Sequence, residues 1–251
     1  MPRRFGLKIR KAADGLGTLV SIVAASRVVY TAITSKHARL TAHPSVPDTD
    51  FICYSDTPLD RDDWQIRPVE ASSQLSPRMQ AKFHKLFPPD GYKWNVWIDG
   101  AYVLRADDTD DDASHFVDDF ITHSPSGFGL HRHNVRDCLF DEAEESLQFD
   151  KRKDQHPIIK EQVRHYARMG HPRNWGLWAG GLLCRDNSRR VAEIMECWWE
   201  EIQRWSWRDQ ISLPFALRSL NFRPDEWPWP LFQNPYMEGW TWNRFDSPVA
   251  D

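Results

Sequence analysis

Residues 94–100 read Trp-Asn-Val-Trp-Ile-Asp-Gly, an apolar run that ends abruptly in a carboxylate and a glycine. A run of this length and composition predicts a buried β-strand. The carboxylate of Asp99 then lies at the carboxyl end of the strand, which is the edge where open α/β sheets bind ligands. Asp99 is therefore the first candidate for a functional residue, although an ordinary Asp-Gly turn has the same sequence.

The segments on either side predict further strands, with helices between them. Strands are predicted at 26–34, 50–54, 64–69, 128–132 and 177–184, where apolar and β-branched residues are bounded by turn signals. Helical spacing of apolar residues predicts helices at 77–87, 116–120, 141–148, 157–169, 188–207 and from 207 onward. This alternation predicts an α/β fold, a single domain with a Rossmann-like, mainly parallel central sheet flanked by helices.

The sequence predicts three regions. Residues 1–25 form a basic and then apolar extension, which superficially resembles a signal peptide but is too short to span a bilayer. Residues 26–220 form the α/β domain, and residues 221–251 form a tail rich in Trp and Pro that we expect to pack on the domain. No other segment approaches the length of a transmembrane helix, so any membrane contact would be peripheral.

Composition argues against several classes of protein. Hydrophobic residues make up 41% and charged residues 27% of the 251 residues, which excludes a disordered chain. A net charge of -4 makes nucleic acid a poor partner. The four cysteines include no C-x-x-C pair, which argues against a zinc ribbon and favours reduced thiols in a cytoplasmic protein. The sequence motifs of P-loop NTPases, G-x-S-x-G hydrolases and H-E-x-x-H zinc proteases are missing.

Two groups of charged residues are candidates for a site. The helix predicted at 77–87 carries three cations three or four residues apart on one face, Arg78, Lys82 and Lys85. Such a stripe could neutralise a diphosphate or could be a solvated surface. Asp209, followed by Gln210, begins another predicted helix. Its carboxylate could cap the helix, act as a general base or accept a hydrogen bond from a sugar hydroxyl.

Other polar and small residues each allow two interpretations. His131 and His133 share a strand face, where contact with a phosphate or carboxylate is favoured over zinc because no third ligand has suitable spacing. Gly180 and Gly181 interrupt an apolar strand. Glycines in the middle of a strand often mark a place where a ligand or another backbone approaches closely. The acidic run 107–112 could bind a metal ion, but we favour a solvated loop that caps the following helix. The 13 tryptophans could stack on sugars, but core packing is the simpler interpretation for most.

Four segments taken together resemble a known family. They are 82–100 with Trp-Ile-Asp-Gly, 131–145 with a His before an acidic Glu-Ala helix, 162–170, and 180–210 with a late Arg-Asp-Gln. Their order and spacing are similar to those of the glycosyltransferase-like proteins first catalogued as a domain of unknown function. That group includes galacturonosyltransferase-like proteins of plant mucilage and pectin.

The resemblance implies a GT-A-like domain that binds a nucleotide-sugar donor, expected to be a UDP-sugar, and a glycan or another hydroxyl acceptor. By this analogy Asp99 stands where GT-A enzymes bind Mn²⁺ or Mg²⁺ through Asp-x-Asp, although Ala101 replaces the second carboxylate. Asp209 and Gln210 are similar to an Asp-Gln pair that family 8 retaining transferases place near the sugar. Those enzymes also use a late His as a metal ligand, and this chain has no His after His171.

The resemblance therefore implies a sugar transfer in which Asp99 and Asp209 are catalytic. A divalent ion on Asp99 would bridge the diphosphate, while Asp209 would orient sugar hydroxyls or deprotonate the acceptor. The residues expected to contact the substrates are Arg78, Lys82, Lys85, His131, Gly180, Gly181 and Gln210. Two alternatives remain open: a metal-dependent hydrolase, and a non-catalytic carbohydrate-binding protein that uses tryptophan faces.

Overall fold

A seven-stranded sheet forms the centre of the molecule. The computed structural model describes residues 25–34, 40–69, 74–100, 102–105, 115–149 and 153–240. The predicted N-terminal extension, apart from residue 25, lies outside the described residues, as do the acidic run 107–112 and residues 241–251.

Nine strands form two sheets within the described range. They are β1 (Arg27–Ile33), β2 (Thr49–Ser55), β3 (Gln65–Pro68), β4 (Trp94–Ile98), β5 (Tyr102–Leu104), β6 (Phe128–Arg132), β7 (Trp178–Asp186), β8 (Asp225–Glu226) and β9 (Met237–Trp240). The central sheet has the order β3-β2-β1-β4-β7-β6-β8, and a second sheet pairs β5 with β9. In the central sheet β7 runs antiparallel to β4 and β6, while the other neighbouring pairs are parallel. The mainly parallel α/β architecture expected from the sequence is confirmed.

Six α-helices accompany the sheets in the part of the chain that is described. They are α1 (Pro77–Leu86), α2 (Phe116–Thr122), α3 (Leu139–Phe149), α4 (His156–Arg168), α5 (Arg189–Arg204) and α6 (Asp209–Ser219). Serine side chains cap two of them: Ser76 Oγ accepts the N–H of Met79 at 3.4 Å, and Ser188 Oγ accepts that of Val191 at 3.3 Å. None of these helices combines the length and the apolar character needed to cross a membrane.

Alternating side chains of the strands fill two cores, one on each face of the central sheet. In β4, Val96 and Ile98 join the core that includes α2. Trp97 points to the opposite face, where it joins the core that includes Trp198 of α5 and residues of α1 and α6. Because residues two apart on a strand share a face, Asp99 follows Trp97 onto the side of α1 and α6.

The segment rich in Trp and Pro after residue 220 contributes strands to both sheets. β8 pairs with β6, and β9 pairs with β5. Trp227 is 5% exposed and stacks on Phe120 with ring centroids 4.4 Å apart, so this part of the segment is core. The sequence did not predict β5, β8 or β9, because strands of two to four residues are too short to show a clear alternation.

Candidate active site

A pocket of about 550 Å³ opens at the carboxyl ends of β1 and β4. Thr34, the residue after β1, and Asp99, the residue after β4, both line it. β1 and β4 are neighbours in the sheet. The chain after β1 continues into β2 on one side of β1, whereas β4 lies on the opposite side of β1. Ligands of open α/β sheets bind at such a switch point. The pocket therefore lies where the topology of the sheet predicts a binding site.

Eight of the nine site residues predicted from the sequence line this pocket. They are Arg78, Lys82, Lys85, Asp99, Gly180, Gly181, Asp209 and Gln210. The three cations come from α1, the two glycines from β7, and the Asp-Gln pair from the start of α6. The fold thus brings together residues that are far apart in the chain, while the chemical roles assigned to them stay predictions.

Two lysines of α1 converge on one carboxylate of α6. Lys85 Nζ lies 2.7 Å and Lys82 Nζ lies 3.0 Å from Oδ2 of Asp209. Both ammonium groups reach this oxygen because residues three apart share a helix face. Asp209 is the first residue of α6, where the positive end of the helix dipole also favours a carboxylate. The indole N–H of Trp198 fixes this end of α6 by donating to the Asp209 carbonyl at 2.9 Å.

Burial and charge oppose each other in this cluster. Burial alone would raise the pKa of the Asp209 carboxyl, but the ammonium groups of Lys82 and Lys85 outweigh it and hold that pKa well below its usual range. Burial would lower the pKa of Lys85, but the carboxylates of Asp209 and Asp99 outweigh it and raise that pKa. Burial prevails at Lys82, whose pKa is lowered although Asp209 opposes the change. Asp209 is therefore ionised and Lys85 is charged at neutral pH.

Asp99 lies beside this cluster and is fixed by two hydrogen bonds. Its Oδ1 accepts the indole N–H of Trp97 at 2.8 Å, and its backbone N–H donates to the Gly181 carbonyl at 2.7 Å. Burial raises the pKa of the Asp99 carboxyl, because the positive charge of Lys85 compensates only in part. The pocket thus holds one strongly acidic carboxyl, Asp209, and one carboxyl that is the better proton acceptor, Asp99.

The carboxyl end of α1 is anchored by two buried side chains. Tyr30 of β1 donates its O–H to the carbonyl of Lys85 at 3.0 Å. Arg185 of β7, which is 1% exposed, donates to the same carbonyl and to the Tyr30 oxygen. The Lys85 ammonium extends over Trp198, with Nζ 5.4 Å from the ring centroid. The backbone of Lys85 is therefore held in place independently of its contact with Asp209.

The two glycines of β7 make room for neighbouring protein side chains. A Cβ on Gly180 would lie 2.9 Å from Nζ of Lys85, and one on Gly181 would lie 2.5 Å from a ring carbon of Tyr102. The pairing of β7 with β6 also shifts in register here, since Leu130 faces Leu183 while the next residue of β6 faces residue 179. The sequence left open whether a ligand or protein atoms approach these glycines. In the structure the side chain of Lys85 approaches Gly180, and that of Tyr102 approaches Gly181.

Alanine at position 181 is expected to lower the free energy of unfolding by about 1–3 kcal/mol, because its Cβ overlaps the ring of Tyr102. Urea denaturation followed by tryptophan fluorescence measures the loss. The control is the same substitution in a Tyr102→Ala background, where the ring is gone and Gly181→Ala should cost much less. Equal costs in the two backgrounds would contradict the overlap.

His131 is the predicted site residue that does not line the pocket. It is 1% exposed, and its Nδ1 lies 2.9 Å from the Trp229 carbonyl while its Nε2 lies 3.0 Å from the side-chain nitrogen of Asn234. Nδ1 is therefore the donor and Nε2 the acceptor, and burial lowers the pKa of the ring to about 4. With both nitrogens engaged, His131 ties the C-terminal segment to β6. His131, which was predicted to contact the substrate, thus contacts protein atoms away from the pocket, and His133 lines the pocket.

Several residues that line the pocket were not singled out as site residues from the sequence, including Thr34, Trp97, Tyr102 and Arg208. Three of them carried a usable signal. Thr34 follows a predicted strand, Trp97 shares a strand face with Asp99, and Arg208 adjoins a candidate carboxylate. No sequence signal identified Tyr102, because β5, the strand on which it lies, was not predicted.

The described donors do not by themselves form a site for Mn²⁺ or Mg²⁺, which prefer about six oxygen ligands. Among the residues that the structure describes, no group of three or more His, Cys, Asp or Glu side chains could hold a metal ion. Asp99 already accepts the N–H of Trp97, and Asp209 already binds two ammonium groups. A metal ion at Asp99 therefore stays a prediction, and such an ion would need ligands other than the side chains of Asp99 and Asp209.

Comparison with known families identifies one match. A family model described as TOD1/MUCI70, glycosyltransferase-like domain, matches residues 77–239. The match covers more than half of the 251 residues and spans α1, Asp99, the glycines of β7 and Asp209. Strands β1–β3 and Thr34 lie before it. The curated proteins compared with the chain include no match.

Proposed function

The chain belongs to the TOD1/MUCI70 glycosyltransferase-like domain family, and from this premise we propose that it transfers a sugar from a nucleotide-sugar donor to a hydroxyl group of a glycan or another acceptor. The observation that carries the proposal is the position of Lys82, Lys85 and Asp209 beside Asp99 in the switch-point pocket. Such a pocket offers cations for a diphosphate and a carboxylate for the acceptor.

The charge of the pocket supports an anionic donor. Four cationic side chains line it, Arg78, Lys82, Lys85 and Arg208, against the two carboxylates of Asp99 and Asp209. Lysine and arginine are the residues that proteins use to bind phosphate groups. A volume of about 550 Å³ also lies in the range of pockets that bind small molecules and cofactors.

The two carboxylates take different parts in the proposed reaction. The bond between the anomeric carbon and the diphosphate oxygen breaks, and its electron pair leaves with the diphosphate. A bond forms between the anomeric carbon and the acceptor oxygen, and the proton of that hydroxyl passes to Asp99. Asp99 suits this role because burial raises the pKa of its carboxyl, whereas Lys82 and Lys85 occupy Asp209.

A panel of nucleoside diphosphates and nucleotide-sugars, each with and without Mn²⁺, tests the proposal by thermal shift. A ligand at a hundred times its Kd adds about 2.7 kcal/mol to the folded state, which raises the Tm of a chain this size by roughly 5–10 °C. We expect such a rise for the diphosphates of at least one nucleoside, with the unphosphorylated nucleoside as the negative control.

Product analysis separates the proposed transferase from its alternatives. Mass spectrometry of the reaction should show a sugar moved to an added glycan acceptor. Release of the free sugar at the same rate with and without acceptor would favour a hydrolase. A protein that binds glycan but is stabilised by no diphosphate would be a carbohydrate-binding protein, and the transferase proposal would fail.

A further inference from the structure

The lysine pair shares the carboxylate of Asp209, and the carboxylate of Asp99 also lies within electrostatic range of both lysines. Both ammonium groups approach the same oxygen of Asp209, at 2.7 and 3.0 Å, so one negative charge lies between two positive ones. The side chain of Lys85 is 4% exposed and that of Lys82 is 16% exposed, which limits compensation by solvent. Because Arg78 and Arg208 also line the pocket, its cations outnumber the carboxylates of Asp99 and Asp209. Such a pocket attracts an anion with several oxygens, which can bind both ammonium groups at once.

The same cluster disfavours a divalent cation at Asp99. The Asp99 carboxylate lies within electrostatic range of both lysines, and its Oδ1 already accepts the Trp97 indole N–H. A cation bound there would face two ammonium charges at close range. The described chain also lacks a third acidic or imidazole side chain that could complete a metal site with Asp99 and Asp209.

From this geometry we infer that Lys82 and Lys85, held together by Asp209, neutralise the diphosphate of the donor, and that donor binding needs no divalent cation. The inference rests on the proposed function, since it assigns the charge of the leaving group to these residues. When the donor bond breaks, the electron pair passes to the diphosphate oxygen, and the two ammonium groups stabilise the added charge. Asp209 is a positioning residue, because it keeps the two ammonium groups adjacent before a ligand arrives.

Isothermal titration calorimetry of the full chain with UDP and GDP, in excess EDTA and separately with Mn²⁺, tests the inference. We expect the diphosphate that binds to have the same Kd in both conditions. Pyrophosphate and the nucleoside monophosphate form two further arms. The monophosphate should bind more weakly than the diphosphate, and measurable binding of pyrophosphate shows that the diphosphate group itself is recognised.

The variant Lys82→Met should weaken diphosphate binding in EDTA by roughly tenfold to a hundredfold, which is the usual range for one hydrogen bond to a charged group. Lys160→Met is the matched control, because Lys160 is exposed on α4 and does not line the pocket. Lys82→Gln serves as a second variant of similar length that keeps a polar end.

The outcomes distinguish this inference from the proposed function. Binding that requires Mn²⁺ would overturn the inference and leave sugar transfer standing. Unchanged affinity in Lys82→Met and Lys82→Gln would also overturn it. If no diphosphate binds in either EDTA or Mn²⁺, the proposed function itself fails. The comparison of EDTA with Mn²⁺ uses the unaltered chain, so it remains decisive even if both variants fold poorly.

Discussion

Asparagine in place of Asp99 is expected to lower turnover by roughly a hundredfold to ten-thousandfold, which is the usual contribution of a positioned proton acceptor. Asn has the same shape and can still accept the N–H of Trp97, but it cannot take the proton of the acceptor hydroxyl. The measurement is the initial rate of sugar transfer with the donor identified by the nucleotide panel.

A second measurement on Asp99→Asn separates catalysis from binding. If Asp99 acts on the acceptor proton, the variant should bind the diphosphate about as well as the unaltered chain and should unfold at a similar urea concentration. The loss should therefore fall on kcat rather than on the Kd of the donor. A variant that transfers sugar at nearly the original rate would show that Asp99 is not the proton acceptor.

Asparagine in place of Asp209 is expected to lower the free energy of unfolding by about 3 kcal/mol at neutral pH. The substitution removes the carboxylate that both ammonium groups of Lys82 and Lys85 contact in a largely buried site, and breaking such a pair typically costs 3–5 kcal/mol. Urea denaturation followed by tryptophan fluorescence measures the change. Asp141→Asn is the control, since its pair with Arg173 is exposed and its loss should cost less than about 1 kcal/mol.

The pH dependence of this stability has a defined sign. The pKa of the Asp209 carboxyl is depressed in the folded chain, so the stability it provides is present above the unfolded value of about 3.9 and is lost as the pH falls below it. In Asp209→Asn the lysines can relieve their repulsion by losing protons. The difference in the free energy of unfolding between the variant and the unaltered chain should therefore become smaller toward pH 9. A difference that does not change with pH would contradict an electrostatic origin.

The sequence predicts the fold well wherever an element is long and periodic. The helix that becomes α1 and the strands that become β1, β4 and β7 were predicted within a few residues. The three short strands β5, β8 and β9 were missed, because their residues become strands only through partners that are distant in sequence. Local patterns likewise did not reveal that β7 runs antiparallel to both of its neighbours.

The candidate site was predictable in membership but not in geometry. Position at a strand end or on one helix face was enough to select Asp99, Lys82 and Lys85. Spacing alone could not show that both lysines would reach the single carboxylate of Asp209, since that contact joins residues more than a hundred positions apart. His131 illustrates the opposite error, because a polar residue in a strand looks the same in sequence whether it faces a pocket or the interior.

The late position of β8 and β9 has a consequence for how the chain is made. β6 lacks its outer neighbour, and β5 its partner, until residues 225–240 have been synthesised. Contacts between such distant segments form slowly, because a long loop of chain must be closed first. We therefore expect a nascent chain to leave the outer edge of β6 and the whole of β5 unpaired until residues 225–240 have emerged from the ribosome.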